Sequence, residues 1–322
     1  SNVTIDADQH SGDNVDFGGT INSDSTPRNL TIKTTGGAVI IQGAIGTSNA
    51  LSALDINTTE DGGGGNTGNI TLAAIGTDSA AGAASISVGN SRTGTMTLGG
   101  ADYNSTGAQM FESDDFDLDG ADITFTTSNA AVEFLDGGTG QIVLENDADL
   151  TITTGGGNIT IKPSIAGTAG AGGAATSEDV TLNAGVGGGT ISLDYAGVAI
   201  ATDIGDVTLT GGTINLNGGI TTTALQSDGS TKTEIDINGA VVLEADTTIT
   251  SNGGNLDFSS TINSDATARD LTISTGAGTV NIVGNIGGTT DTDLDAIDIN
   301  ASAGAGNITP VSYTHLRAHE TS

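Results

Sequence analysis

The stretch "ESDDFDLDGAD" (112–122) sets Asp115, Asp117 and Asp119 at alternate positions, followed by Gly120 and then Asp122. That spacing opens an EF-hand loop, in which a hard cation gathers several carboxylate and carbonyl oxygens around a bend at glycine. Calcium is therefore the cofactor these residues could hold, with Asp115, Asp117, Asp119 and Asp122 as candidate ligands; nothing in the chain requires one. The pattern is incomplete, because Thr126 takes the place of the bidentate Glu and no helical pattern flanks the run. A strand reading competes with it: alternation would turn Phe116 and Leu118 inward and leave the aspartates in water. The stretch "DTDLDAID" (291–298) repeats the theme without the glycine.

Other chemistry is sparser. "GGTGQIVLE" (137–145) begins like the glycine-rich calcium nonapeptide of exported toxins, but Ile142 stands where that motif needs Asp. "EDGGGGNTGN" (60–69) lacks the following Lys-Ser/Thr and the helix of a phosphate loop. Asn29, Asn69 and Asn158 read as glycosylation sequons yet coincide with strand starts, which favours a structural role. Carboxylate pairs abound, so no single pair is informative; glycoside hydrolysis needs two at a defined separation beside a sugar site. Trp is absent and the Lys and Arg residues are scattered singly, so the platforms and cations that grip a sugar are missing. His10 stands alone as a turn residue. No catalytic residue is expected.

These side chains sit in a chain composed for strands. Its 322 residues include 51 glycines and three prolines, no cysteine, and only nine aromatics. Val, Ile, Leu and Thr between Gly, Asn and Asp favour short strands joined by tight turns, and disfavour helix. Thirty-nine acids against seven bases give a net charge of −32. Such a field repels phosphate backbones and anionic membrane surfaces, excludes nucleic acid as a partner, and attracts divalent cations. No apolar run approaches the ~20 residues of a membrane-spanning helix, so no membrane insertion is expected.

"TINSDSTPRNLTI" (20–32) returns as "TINSDATARDLTI" (261–273), and the likeness extends over residues 14–72 and 255–309. An active site occurs once per domain, so a recurring segment is architecture. Beneath it runs a shorter beat of apolar–polar–apolar triplets, among them "LTI" at 30–32, "ITL" at 70–72, "LTI" at 150–152 and "VTL" at 207–209. Strands this short exclude water only by stacking on their neighbours, which predicts an all-β, parallel β-helix (a β-solenoid) over residues 1–309. With two or three strands per coil, roughly 18–28 residues each, the chain would make on the order of 12–16 coils and a rod roughly 60–75 Å long. Tandem β-sandwich domains are the alternative. The Gly/Ala-rich stretch 164–179 is expected to loop out of a coil, and 76–90 to be a loop or a thin rung.

Both ends depart from natural termini, so the chain is expected to be a fragment. "SNVTIDADQ" enters the pattern midway, without a secretion signal. "PVSYTHLRAHETS" (310–322) breaks the idiom and resembles the translation of a transposase sequencing adapter over 310–321. His315, Arg317, His319 and Glu320 are therefore set aside as a non-native tail.

The phrases "NLTI", "GNITL", "GGTINLNGG" and "AVIIQGAIG", scattered over 1–309, resemble the large repetitive exoproteins of bacteria, the filamentous-haemagglutinin-like and autotransporter-passenger adhesins. The resemblance implies a right-handed β-helix, export to the cell surface, and a non-catalytic stalk or adhesive surface facing a receptor or glycan on a host or neighbouring cell. The alternatives are a carbohydrate-active β-helix enzyme, a lyase or glycosidase, and a calcium-ordered surface-layer or adhesin segment.

Overall fold

The computed structural model describes residues 1–7, 12–57, 68–91, 93–120, 122–136, 139–168, 178–201, 203–223, 233–288, 293–301 and 307–313. Within them the chain is all strand and turn, and 28 strands join one continuous sheet. Each turn of the chain lays down about three strand segments, and the strands of the large sheet pair in parallel with their equivalents on neighbouring turns, with register shifts in four of the pairings. The result is a parallel β-solenoid.

One ladder shows the principle. It runs Val15, Val39, Ile70, Met96, Phe116, Ile142, Ile165, Ile200, Ile220, Ile249, Ile273 and Ile299. A second ladder carries Leu30, Leu54 and Ile86 onward. A third carries Ile21, Ile45, Ile75, Tyr103 and Phe125 onward. Eleven steps join Val15 to Ile299, about 26 residues each, so the expected 12–16 coils are corrected to about ten or eleven longer ones. Turn length varies from the 20 residues between Met96 and Phe116 to the 35 between Ile165 and Ile200. At ~4.8 Å per rung the stack is about 50 Å long, shorter than expected for the same reason. The sandwich alternative fails, because the one antiparallel pairing among the described strands is the small hairpin Gly76–Thr77 with Ala80–Ala81.

The triplets fold this way because period-two alternation sends their two apolar side chains to one face. Strands Val39–Ile41, Ile70–Leu72 and Ile159–Ile161 each bury the first and last residue and leave the middle one half-buried outside. The buried side chains form one continuous column. One section of it holds Tyr103, Phe111, Phe116, Phe125 and Phe134, with neighbouring ring centroids 4.9 to 6.1 Å apart. Such edge-to-face and offset pairs add about 0.5–1.5 kcal/mol each beyond area burial. The Tyr103 hydroxyl donates to the Leu72 carbonyl at 3.0 Å and accepts the Gly100 N–H at 3.1 Å, which satisfies its polar end.

Corners need a different device, since there the backbone leaves the ladder. A buried hydroxyl closes several of them by donating to the carbonyl three residues on: Thr34 to Gly37, Ser251 to Gly254 and Thr275 to Gly278, at 2.7 to 2.9 Å. The glycine that receives the bond also stacks on the turn below. A methyl group on Gly278 would lie 1.8 Å from the Gly254 carbonyl oxygen.

The duplicated phrase makes the same loop twice. Arg28 grips Asp24 with a two-nitrogen fork, while the Thr26 N–H bonds the same carboxylate; Arg269, Asp265 and Thr267 repeat the arrangement. The Gly/Ala-rich stretches are partly regular. Ser164–Gly167 and Glu178–Asn183 are strands, with 169–177 outside the described residues, and 76–90 contains the small hairpin and strand Ile86–Gly89. Strand Ile308–Tyr313 extends the pairing across position 310.

Gly278→Ala is expected to destabilise the protein by about 1–3 kcal/mol through overpacking of backbone on backbone. Gly18→Ala, with nothing near the added methyl, is expected to stay within about 0.5 kcal/mol. Urea unfolding of the two variants checks both values.

Candidate functional site

The structure distributes the four candidate calcium ligands over two faces. Asp115, Asp117 and Asp119 project outward from strand Asp115–Asp119, while Phe116 and Leu118 between them are fully buried. An extended strand holds alternate residues roughly 6.5–7 Å apart, where a calcium loop folds them around one point. Asp122 lies past the bend at Gly120 and directly precedes the next strand, Ile123–Thr126. Each of three carboxylates reaches the following turn: Asp115 accepts the Gln141 N–H at 3.3 Å, Asp119 the Asn146 side-chain amide at 2.8 Å, and Asp122 the Asp149 N–H at 3.4 Å.

Glu145 pairs in register with Asp119 and completes an acidic patch. Partial burial, then repulsion from Asp115 and Asp119, raises the Asp117 carboxyl above its ordinary range. Burial and the nearby Asp117 and Asp119 do the same to Glu145. Among the described residues, no three acidic or histidine side chains converge on a point that could hold a metal ion.

A longer array occupies the third ladder. The segments "DITFT" (122–126), "DLTIT" (149–153), "DVTLN" (179–183) and "DVTLT" (206–210) stack on successive turns. Thr124, Thr151, Thr181 and Thr208 form one outward column, and Thr126, Thr153, Asn183 and Thr210 a second. All eight side chains are half-buried. The acids form a third column at the corner. Asp149, Asp179, Asp206 and Glu234 each donate their backbone N–H to the Oδ1 of the acid one turn earlier, at 3.4, 2.8, 2.7 and 2.6 Å.

The reason for an acid there is visible where asparagine takes its place. Asn14, Asn69, Asn158 and Asn255 offer the same oxygen to Ala38, Thr95, Thr190 and Thr279, one turn on. A short side-chain carbonyl at the strand's entry satisfies a donor that the ladder does not reach. This gives Asn69 and Asn158, read in the sequence as strand starts, their structural role. Where aspartate does the job, the same bond brings charge. Burial, with repulsion from Asp122, raises Asp149. Asp179 is pushed up to about 6, by burial first and then by Asp149 and Asp206, against the N–H of Asp206 that pulls it down. Sequence reading caught the triplets but missed this array; the signal was the pentapeptide D-x-T-x-(T/N), recurring at intervals of 27, 30 and 27 residues.

Beside the second threonine column runs a shallow groove of about 400 Å³, walled by the exposed Val186 and by Thr210, Asn238 and Ser259 over a floor of glycines. No titratable group lines it. A hollow of about 320 Å³ over the first turn includes Asp24 and Arg28, which are paired with each other. His10, His315, Arg317, His319, Glu320, residues 60–67 of the glycine run, 137–138 of the nonapeptide-like stretch and 291–292 lie outside the described residues. No helix among the described residues is long and apolar enough to cross a membrane. Comparison with known protein families, curated proteins and solved structures finds no match to this chain.

Asp179→Asn keeps the oxygen that bonds Asp206 and removes the charge. Because the folded carboxyl titrates above its unfolded value, its repulsion grows as pH rises from about 4 through about 6. The variant is therefore expected to be more stable than the parent at pH 8, by about 1 kcal/mol after solvent screening, and equal to it at about pH 4. Thermal melts at the two pH values measure the difference.

Proposed function

We propose that this chain is a non-catalytic structural and adhesive segment of an exported bacterial surface protein, serving as stalk or as contact surface for a receptor or glycan on another cell. The observation that carries this reading is the stacked array on the third ladder: hydroxyl and amide side chains repeated at one-rung intervals in two columns. A surface that repeats in one direction suits a partner that also repeats, and each added rung multiplies weak contacts into avidity. Threonine favours such contacts, because its branched side chain holds few rotamers and loses little freedom on binding. The groove beside the second threonine column, lined by hydroxyl, amide and glycine groups, favours contact with a neutral polar partner. A glycosidase needs two carboxyls facing each other across a bound sugar.

The test uses the purified chain against immobilised polysaccharides and intact cells. Binding is expected to fall about tenfold or more in Thr151→Arg/Thr181→Arg, which breaks both the spacing and the neutrality of the column. Turnover of any polysaccharide in the panel would overturn the non-catalytic reading. Failure to bind any surface would remove the adhesive role and leave the stalk.

Ordering by calcium is the second reading, favoured by the crowding of Asp115, Asp117, Asp119 and Glu145 on one face. A divalent cation would relieve their repulsion. Millimolar calcium is then expected to raise the melting temperature by a few degrees in the parent and not in Asp117→Ala. Melting unchanged by calcium in both would end this reading.

A further inference from the structure

The corner between the first-described and third ladders contains a carboxyl that none of the foregoing uses. Two residues ahead of the paired Leu150 and Val180 stand Ala148 and Glu178, and Glu178 pairs across the next step with Ile204. Ala148 and Ile204 fill this inward position as apolar side chains, 1% and 0% exposed, and Glu178 fills it between them at 0%. Its carboxyl lies on the bare face of Gly167, where an added methyl would come within 2.6 Å of Oε2. The Thr168 N–H donates to Oε1 at 3.2 Å, and Oε2 has no hydrogen-bond partner among the described residues.

The charged groups that act on it from the turns on either side are Asp147 and Asp203, both carboxylates and both in left-handed backbone conformations. The other acids of this corner, Asp149, Asp179 and Asp206, spend an oxygen on the N–H of the next turn. Gly167 and Thr168 bring no charge. A carboxylate here would be buried with a single outside donor and two like charges for neighbours, whereas a protonated carboxyl replaces an alanine or isoleucine without penalty of charge.

We propose that Glu178 is a proton-operated latch in the middle of the solenoid, closing this corner when protonated and loosening it when ionised. Burial above all pushes its carboxyl up to about 7, with Asp147 and Asp203 adding to the rise and backbone N–H bonds opposing it. Because the folded value exceeds the ordinary 4.5, the latch's stabilisation is complete below that value and is lost as pH rises through about 7. Passing from a mildly acidic to a neutral medium would therefore loosen the rod locally, while the ladders above and below keep their own contacts.

Two measurements decide it. In the unchanged protein, the side-chain carboxyl ¹³C resonance of Glu178 is expected to titrate with a midpoint about 2.5 pH units above that of an ordinary glutamate; a midpoint in the ordinary range overturns the proposal. Amide exchange, corrected for its intrinsic pH dependence, is expected to quicken about tenfold or more at Thr168 and Ile204 between about pH 5.5 and 8. The neutral isostere Glu178→Gln is expected to hold those rates within about twofold. The same quickening in Glu178→Gln as in the parent would refute the latch, and if that variant does not fold, the carboxyl titration of the parent decides alone.

Discussion

A strand of three residues can neither shield its apolar side chains nor satisfy its own N–H and C=O groups. Everything in this solenoid follows from solving both shortages in one direction. Each rung bonds the rungs above and below and is roofed by their side chains, so the column Val15–Val39–Ile70–Met96 and its continuation is at once the sheet and the core. Contacts are made with the nearest turns, which makes stability a sum of neighbour terms rather than the property of one centre.

In-register stacking superposes whatever occupies a position, favourable or not. Glycine at the corners lets backbone lie on backbone, as Gly278 does on Gly254. Threonines align into columns, and so do carboxylates, whose bonds to the next turn hold them where they repel each other. The chain's large negative charge is thus partly an internal strain, concentrated where Asp149, Asp179 and Glu178 are held above their ordinary titration range. Acid, which denatures many proteins by breaking ion pairs, here relieves repulsion, because thirty-nine acids face only seven bases.

The same superposition shapes the functional argument. A single convergent pocket is hard to build from repeating rungs, whereas a periodic face arises without further design. The neutral hydroxyl columns of the third ladder and the acidic patch at Asp115–Asp119 lie on different faces, so contact with a repeating partner and response to cations or protons need not compete for the same surface.

Which residues turn inward was legible without coordinates, because alternation is a property of the strand alone. Phe116 and Leu118 lie inside and the aspartates around them outside, and Asn69 and Asn158 stand where strands begin. The duplicated phrase likewise declared one piece of architecture written twice, since the fork at Asp24 and Arg28 needs only five residues of local sequence. Only the tertiary structure decided which turns lie against which. Corners absorb unequal lengths, 20 residues in one turn and 35 in another, so sequence spacing does not reveal what meets across a rung. That is why the acid and threonine columns, the aromatic cluster around Phe125 and the inward carboxyl of Glu178 stayed hidden: each depends on which residues the corners bring together, from 8 apart at Tyr103 and Phe111 to 30 apart at Asp149 and Asp179.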